Sequence, residues 1–410
     1  MTKSNQEINL RVIGLDCHPD TFTACILRGN TPANAILEKN FSRIDLLQLE
    51  IWAKKHTLPE DIIVLEASGN SFHIARSLHA LGCKALVLES CQMGRLKVAH
   101  ANNDKISAVR IAKAYLAGTA KEVWVPDLKT QERRDWLLAY LKAVKRTTQL
   151  QNRIQSYLSD QGVRSVPKSK LYEEKAKKKL RARGWTPRQW QVIEGMLMEM
   201  RHADEQRKHW ESLISQEVLE DAVLLSLMRL CGVRDIIAFA IGAIVGDVNR
   251  FAGPKKLVNY IGLAPAFDDS GESEWTGGIG CHGRKDLRGL LIQGAQAVIQ
   301  TKTPLGQWGR KLILKKGQRN LAVAAVARRM AVSIWYLLQG RWTGVEELEP
   351  RLEIKINKVL THVGAAGFKA LKKTRKQLRE EARQRLKTGR VYYLDPNKKM
   401  PPKTKAAVPV

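Results

Sequence analysis

Two apolar segments in the first seventy residues each end in a carboxylate: Val12–Asp16 (VIGLD) and Ile62–Glu66 (IIVLE). Short apolar runs rich in β-branched residues predict buried strands. A carboxylate at the end of such a strand is costly to desolvate without a partner. If the strands are neighbours, their carboxylates share one sheet edge, where a divalent cation such as Mg²⁺ would offset the repulsion. Asp104 is a candidate third ligand.

The charge of the chain supports this interpretation over the simpler one, in which each carboxylate is a solvated strand cap or salt-bridge partner. The 69 Lys+Arg against 40 Asp+Glu give a net charge of +29 and a pI near 10.0. Such an excess favours nucleic acid as the partner, because Lys and Arg neutralise phosphates. Acidic groups kept together on so basic a protein indicate a bound cation and metal-assisted phosphoryl transfer.

Length and composition predict a globular protein of two or three domains, with 410 residues, 44% of them hydrophobic and 27% charged. The chain shows neither an uninterrupted run of eighteen apolar residues nor an apolar stretch after its polar start. We therefore expect a cytoplasmic protein that does not act at a membrane. Six cysteines without paired spacing predict reduced thiols and no zinc site.

The first part of the chain, 10–127, alternates between strand and helix patterns, which predicts an α/β domain with a mixed sheet. Predicted strands cover 11–16, 21–28, 61–66, 84–88 and Val123–Val125, and predicted helices cover 43–55, 70–81 and 105–117.

The middle part, 128–228, has apolar residues at three- and four-residue steps and no strand pattern, which predicts two long helices joined by the basic connector Lys168–Arg183. The second helix should begin at Thr186, with Pro187 in its first turn and Gln189 completing a capping box. The helices form either a solvated bundle or a coiled-coil arm for dimerisation.

The third part, 229–345, is predicted to be mostly helical, with a polar loop from Pro265 to Ser273. Ser270 precedes a glycine there, on a backbone that a phosphate can approach closely. An activated serine can act as a nucleophile, and the basic residues Arg284, Lys285 and Arg288 could clamp the phosphate. The alternative is an ordinary turn.

Three further features leave alternatives open. The segment Leu230–Val233 resembles a helix-hairpin-helix contact with phosphate, or is a tight turn between helices. His18 and His282 are near the proposed sites, but lone histidines carry no assignment. The last sixty residues hold 17 Lys+Arg against 4 Asp+Glu; they form a nucleic-acid-binding extension or a solvated tail, with 396–410 disordered in isolation.

The motifs taken together resemble a known family. Gly14–Asp16, Leu65–Gly69 and Asn103–Ile106 are followed by Gly246-Asp247, Arg250-Phe251, Gly262–Pro265, Ser270-Gly271 and Gly283–Leu290. In this order, across about 10–340, the chain resembles the DEDD insertion-sequence transposases. That family is also described as bridge-RNA-guided recombinases and is related to the pilin-gene invertases.

The resemblance implies a fold and a site. Residues 10–127 would be a RuvC-like domain of RNase H type, with Mg²⁺ on Asp16, Glu66 and Asp104. Residues 128–228 would be a coiled coil, and 229–345 a mostly helical transposase domain with Ser270 as the nucleophile. Residues 346–410 would be a basic extension.

The resemblance also implies an activity and its partners. Ser270 would attack a DNA phosphate to form a covalent phosphoserine, and a structured non-coding guide RNA would pair with target and donor DNA. The active site would be composite, formed between protomers of a homo-oligomer, a dimer or a tetramer. The expected function is RNA-guided strand cleavage and exchange.

One departure from the family pattern opens two alternatives. The fourth acid of the family lies three residues after the third, and that position is Ser107 here. The chain could therefore be a catalytically weakened RNA- and DNA-binding relative. It could also be a RuvC-like nuclease that uses water, with Ser270 structural. Ser273 is a rival for the nucleophile, although Ser270 matches the Ser-Gly position.

Overall fold

The computed structural model divides into two units, Met1–Lys129 (unit 1) and Thr130–Val410 (unit 2). It combines an N-terminal sheet with a mostly helical remainder, so the predicted α/β-plus-α class is confirmed. The residues that the structure describes are 10–90, 104–163, 166–167, 171, 173–270, 273–280, 282–341 and 349–388.

Unit 1 is built on a six-stranded mixed sheet. Its strands are β1 (Arg11–Cys17), β2 (Thr21–Arg28), β3 (Ile36–Asp45), β4 (Ile62–Glu66), β5 (Lys84–Leu88) and β6 (Glu122–Val123). Their order across the sheet is β3-β2-β1-β4-β5-β6. β4 runs parallel to β1 and β5, whereas the other neighbours are antiparallel. The two acid-ended strands are therefore neighbours, as the sequence predicted.

Helices cover both faces of this sheet. They are α1 (Leu49–His56), α2 (Ser71–Ala80) and α3 (Asp104–Leu116). Ile13 and Leu15 of β1 share a core with α1 and α2, whereas Val12 belongs to a second core with α3. Successive strand residues point to opposite faces of a sheet. A continuous apolar run is therefore what a strand covered on both faces requires.

Strand β3 is a difference from the prediction, because residues 43–55 were expected to be helical. The structure continues the strand to Asp45 and begins α1 at Leu49. β3 lies at one edge of the sheet and most of its residues are exposed. An edge strand with no buried face has no clear apolar alternation, so its sequence gives little signal.

The described part of the chain from residue 128 onward contains eleven α-helices. They are α4 (Leu128–Asp160), α5 (Glu174–Arg181), α6 (Pro187–Glu220), α7 (Ala222–Leu227), α8 (Asp235–Val245), α9 (Pro254–Ile261), α10 (Lys285–Ile299), α11 (Pro304–Lys316), α12 (Arg319–Leu338), α13 (Glu349–Ala370) and α14 (Arg375–Thr388).

The long helices α4 and α6 run antiparallel. Arg133 binds Glu217 at one end, with 2.5 Å between Nη2 and Oε1, and Gln189 donates to Gln161 at the other. The predicted capping box at Thr186 is present, and α5 lies within the predicted connector. The helices share a hydrophobic cluster that includes Leu150, Ile154, Leu158, Ile193, Leu197 and Met200.

Helices α7 to α14 contribute to the main core of unit 2. The C-terminal helices α13 and α14 belong to it through Leu352, Ile356, Leu360, Leu378, Ala382 and Leu386. The described part of the predicted basic extension is therefore packed into the core and is not a solvated tail. Residues 389–410, including the segment predicted to be disordered, lie outside the described residues.

A hydrogen-bonded histidine–aspartate pair joins α8 to α13. His362 Nδ1 lies 2.5 Å from Asp235 Oδ2, and Ser215 Oγ donates to the same oxygen at 3.1 Å. The hydrogen bond to Asp235 raises the pKa of His362, against the effect of burial. Burial favours neutral Asp235, but His362 outweighs this and lowers the pKa of that carboxyl.

The segment from Pro265 to Ser273, predicted to be a loop, instead begins an antiparallel hairpin. The hairpin consists of β7 (Pro265–Ser270) and β8 (Ser273–Ile279), with Ser270 opposite Ser273. The polar and acidic residues of β7 have low strand propensity, so its sequence favours a loop. Backbone pairing between the two strands decides the structure here.

One described helix, α12, has the length and apolar composition of a membrane-spanning helix. Half of its most apolar window is buried in the protein. Val326, Met330 and Ile334 of α12 lie in the unit 2 core. α12 is therefore buried in the manner of a core helix.

Candidate active site

Asp16 and Glu66 lie at neighbouring strand ends in unit 1. Leu15 pairs with Leu65 across the parallel β1–β4 ladder, and each carboxylate is the next residue of its strand. Both leucines are fully buried, whereas both acids are partly exposed. The sheet thus presents two carboxylates at one edge, directly beside its apolar interior.

Asp104 reaches the same edge from helix α3, of which it is the first residue. Helix α3 approaches β1 closely at Gly14, where an added Cβ would lie 2.1 Å from the backbone oxygen of Ala108. Only glycine permits this approach. Gly14 therefore allows the helix to bring Asp104 to Asp16.

The structure places His18 between these two acids. Its Nε2 lies 3.9 Å from Asp16 Oδ2 and 3.5 Å from Asp104 Oδ1. One ligand atom from each of the three residues lies within 4.8 Å of the others. Sequence reasoning gave His18 no role, and no periodic pattern could have done so, because His18 follows the end of β1 in the turn to β2.

Ser107 and Arg110 follow Asp104 on successive turns of α3. Half-burial and the charge of Asp104 raise the pKa of Asp16. His18, a hydrogen bond with Ser107 and the charge of Arg110 act in the opposite direction. Ser107, at the position of the missing fourth acid, therefore contacts Asp16 through a hydrogen bond.

Arg43 of the edge strand β3 also faces the acidic cluster. Its Nε lies 3.9 Å from Asp104 Oδ2, and its side chain is 82% exposed. Its φ is 50°, in the left-handed region that non-glycine residues rarely adopt. The edge strand thus brings a positive charge to Asp104 through a strained backbone.

The donor set at this edge fits a divalent cation. Asp16 and Asp104 are like charges held close together, and desolvation further disfavours the charge on Asp16. A cation bound by their oxygens would offset both effects. Two further donors are available: a carboxylate oxygen of Glu66 at the neighbouring strand end and an imidazole nitrogen of His18.

Ser270 is the last residue of β7, and only its backbone is described. It pairs with Ser273, so the two candidate nucleophiles lie opposite each other across the hairpin. Residues 271–272 between them are not among the described residues.

The base of the hairpin is held by backbone contacts. Gly262 and Gly283 both have positive φ, and an added Cβ on Gly283 would lie 2.6 Å from the nitrogen of Gly262. Arg288 Nη1 lies within 3.2 Å of the carbonyl oxygens of Gly262, Gly280 and His282. Residues before β7 and after β8 are thus tied together. This explains why glycines stand at both positions.

The three predicted phosphate-clamp residues differ in their surroundings. Arg284 makes a two-point ion pair with Asp286, with its Nη2 2.6 Å from Oδ2. Burial favours the neutral form of Arg284, but Asp286 outweighs this and raises its pKa. Arg288 binds the carbonyls described above. Lys285, the first residue of α10, is exposed.

The segment Leu230–Val233 is a buried turn, so the helix-hairpin-helix interpretation is not supported. Cys231 and Val233 are 4% and 0% exposed. An added Cβ on Gly232 would lie 2.8 Å from the oxygen of Gly294 in α10. The following helix begins with Asp235, whose buried carboxylate is bound to His362. A phosphate cannot approach this turn.

Comparisons with known proteins agree with the order of these features. A DEDD transposase family model of the IS110 type matches residues 13–161, and the model of the "Transposase IS116/IS110/IS902 family" matches residues 225–308. The first match contains Asp16, Glu66 and Asp104, and the second contains Ser270.

Several curated proteins are similar over most of their length. The transposase of insertion sequence IS1111A from Coxiella burnetii is 26% identical over 80% of this chain and 90% of its own length. The IS1328 transposase of Yersinia enterocolitica and the pilin gene-inverting protein of Moraxella lacunata are each 24% identical, over 80% of this chain and 96% of their own length. The two family models together match more than half of the chain. The chain therefore belongs to the IS110 family of transposases, which are DNA recombination enzymes.

Proposed function

We propose that this transposase is an RNA-guided DNA recombinase that cleaves and exchanges strands through a covalent phosphoserine at Ser270, assisted by Mg²⁺. The observation that carries the proposal is the convergence of Asp16 and Asp104 from separate elements at the sheet edge where Glu66 also lies. In a chain of net charge +29, such a cluster is best explained as a cation site that faces phosphate.

The carboxylates of Asp16, Glu66 and Asp104 would hold the ion. When bound, Mg²⁺ supplies stabilisation of the negative charge on the attacking and leaving oxygens. The hydroxyl of Ser270 attacks the phosphorus, and its proton passes to solvent water. A Ser270 Oγ–P bond forms and one DNA ester bond breaks, and the leaving DNA oxygen takes up a proton from solvent to become a free hydroxyl. The reverse attack by another DNA hydroxyl restores the phosphodiester.

The architecture supports the finer domain assignment. The mixed sheet with helices on both faces agrees with a RuvC-like domain of RNase H type in 10–127. The antiparallel α4–α6 pair agrees with a coiled coil in 128–228. We assign 229–345 to the transposase domain and 346–410 to an extension whose described helices complete the same core.

We further propose that the partners are double-stranded target and donor DNA and a structured guide RNA, bound by a homo-oligomer with a composite active site. Guide pairing would select the sequence while the protein grips backbones, which suits a strongly basic surface. Exposed Lys285 would contact phosphate directly. Arg284 and Arg288 would act beside it from positions fixed by Asp286 and backbone carbonyls. The reaction would take place at the bacterial nucleoid.

A test of the serine assignment uses the full chain with its co-purifying RNA, Mg²⁺ and labelled donor DNA. Wild-type protein and Ser273→Ala should form a protein–DNA adduct stable to denaturation, whereas Ser270→Ala should form none and still bind RNA. An undiminished adduct in Ser270→Ala would refute the assignment. Cleaved DNA without any protein-linked species would instead support a RuvC-like nuclease that uses water.

Sequencing the RNA that co-purifies with the protein tests the proposed guide RNA. The absence of a discrete non-coding RNA would exclude RNA guidance.

A second candidate function is a catalytically weakened RNA- and DNA-binding relative. It is favoured by Ser107, which offers a hydroxyl where the family pattern has a carboxylate. Under this hypothesis the wild-type protein shows little strand exchange, and Ser107→Asp increases it. Robust exchange by the wild-type protein would exclude the hypothesis.

A further inference from the structure

The imidazole of His18 faces the two carboxylates that would hold the metal, and this position is built into the fold. The His18 amide donates to the Thr21 carbonyl at 2.8 Å, which closes the turn between β1 and β2. Asn70 Nδ2 donates to the His18 carbonyl at 2.8 Å. Asn70 lies just after the strand that ends in Glu66. The backbone of His18 is therefore fixed from both sides.

The distances suit a shared ion. Two donor atoms bound to one metal ion lie at most about twice a 2.0–2.2 Å bond apart. His18 Nε2 is 3.5 Å from Asp104 Oδ1 and 3.9 Å from Asp16 Oδ2, within that limit. The His18 side chain is 46% exposed, so an ion can reach it from solvent.

The chemistry of Ser107 leaves a ligand position to fill. Its hydrogen bond to Asp16 supplies no negative charge, so the cluster has one anionic oxygen donor fewer than a four-acid site. A site with fewer carboxylates binds Mg²⁺ less well, because Mg²⁺ depends on hard oxygen donors. A nitrogen donor instead favours first-row transition ions.

We propose that His18 is a metal ligand through Nε2, and that the site therefore prefers a first-row transition ion such as Mn²⁺ to Mg²⁺. The proposal rests on the proposed function, because it refines the metal site that function requires. It assigns Asn70 as a positioning residue that holds the His18 backbone. The competing role for His18 is a protonated counter-ion of the two carboxylates that a bound metal displaces.

The first experiment detects the nitrogen directly. Mn²⁺ is added to full-length protein at less than one equivalent, and pulsed electron paramagnetic resonance records the nuclei coupled to the ion. Wild-type protein and His73→Ala, which removes an exposed histidine of α2, should show coupling to a ¹⁴N nucleus of an imidazole. His18→Gln should lack it. Bound Mn²⁺ in the wild type without nitrogen coupling would overturn the proposal.

The second experiment measures affinity by titration calorimetry. Because His18→Gln removes one ligand, this variant should bind Mn²⁺ at least about tenfold more weakly than the wild type. Its affinity for Mg²⁺ should fall by less than about threefold, because Mg²⁺ readily keeps water in place of a ligand. Asn70→Ala should produce a smaller loss of the same kind. Equal losses for both ions, or no loss of Mn²⁺ binding, would overturn the assignment of His18.

Failure of this inference is distinguishable from failure of the proposed function. If Asp16→Asn abolishes Mn²⁺ binding but His18→Gln does not, the metal site stands and His18 is only a counter-ion. If Asp16→Asn also leaves binding unchanged, the metal site itself is misplaced. The Ser270 adduct is measured independently of either result.

Discussion

Two regions of the molecule, the acidic cluster of unit 1 and the Ser270 hairpin of unit 2, rest on different kinds of support. In unit 1 the carboxylates stand beside buried apolar residues, and Gly14 lets α3 pack directly on β1. In unit 2 the base of the Ser270 hairpin is tied by Arg288 to three carbonyls, and Arg328 donates to the Leu263 carbonyl at 2.9 Å. Elsewhere in unit 2, α8 and α13 are joined by the pair His362–Asp235.

The difference teaches where each part is vulnerable. Ser270 lies five residues beyond Pro265, about 17 Å along a strand, so a small change at the anchored base is passed along that length. No comparable length of strand separates the carboxylates of unit 1 from its packed core. We therefore expect loss of polar contacts to act mainly on unit 2, and added volume to act mainly on the acidic cluster of unit 1.

The largest effect should come from removing the partner of Asp235. His362→Ala leaves a buried carboxylate without its main hydrogen-bond donor, which we expect to destabilise unit 2 by about 3–5 kcal/mol. His362→Gln, which can keep a neutral donor, should cost less. Chemical denaturation of full-length protein, followed with probes in each unit, measures this. An equal loss of stability in unit 1 would show that the effect of His362→Ala is not confined to unit 2.

The same pair gives unit 2 a pH dependence. His362 has a raised pKa, so its contribution is complete below its ordinary pKa of 6.5 and is lost as pH rises through the raised value. Asp235 has a lowered pKa, so its contribution is complete above 3.8 and is lost as pH falls through the lowered value. Glu211 and Arg234 also face the pair and act on His362 in opposite directions.

Unit 2 should accordingly lose stability as pH rises above about 6.5, and His362→Gln should reduce this dependence. Thermal unfolding at a series of pH values measures both. An unchanged slope in His362→Gln would show that another group is responsible.

Arg288 tests the anchoring of the hairpin. Arg288→Ala removes three carbonyl contacts, and a displacement of about 1 Å at the nucleophile slows adduct formation about 100-fold. Arg288→Lys keeps the charge but not the planar guanidinium, so we expect it to be impaired as well. Mn²⁺ binding in unit 1 should be unaffected. Wild-type adduct formation by Arg288→Ala would show that the hairpin is anchored elsewhere.

Gly14 tests the role of volume in unit 1. Gly14→Ala forces β1 and α3 apart, which we expect to destabilise unit 1 by about 1–3 kcal/mol and to weaken metal binding by separating Asp16 from Asp104. Gly69→Ala is the matched control, because its added Cβ meets nothing within 4 Å. Calorimetric titration and unfolding measure the two effects. Normal metal affinity in Gly14→Ala would show that the close approach of α3 to β1 does not determine metal binding.

The smallest effect is expected at Arg43. Arg43→Gly relieves a left-handed backbone and should stabilise unit 1 by at most about 1 kcal/mol. It also removes a positive charge near Asp104, which should raise metal affinity a few-fold at low salt and less at high salt, because the side chain is exposed. Arg43→Lys keeps both the positive charge and a non-glycine residue at this φ, so it should show neither effect. Weaker metal binding in Arg43→Gly would contradict a simple charge effect.

The sequence reveals those features that apolar patterning or capping chemistry specifies. It predicts the buried strands β1, β2, β4 and β5, the capping box at Thr186, and the neighbouring positions of Asp16 and Glu66. It misses β3 and the Ser270 hairpin, because pairing between backbones rather than side-chain alternation holds those strands.

Other features depend on contacts between distant residues. The place of His18 between Asp16 and Asp104 arises from a turn and a helix whose spacing in the chain gives no sign of contact. The pair Asp235–His362 joins residues 127 positions apart. Single-sequence patterns cannot reveal such pairs, because each member alone is indistinguishable from a surface residue.

The packing of α13 and α14 also bears on how this protein can be engineered. Shortening the chain to end near residue 345 would remove His362 together with the apolar side chains that close the second unit. Such a minimal variant would be prone to aggregation during expression. A fluorescent protein or an added effector domain should therefore be joined after residue 388, so that α13 and α14 are both kept.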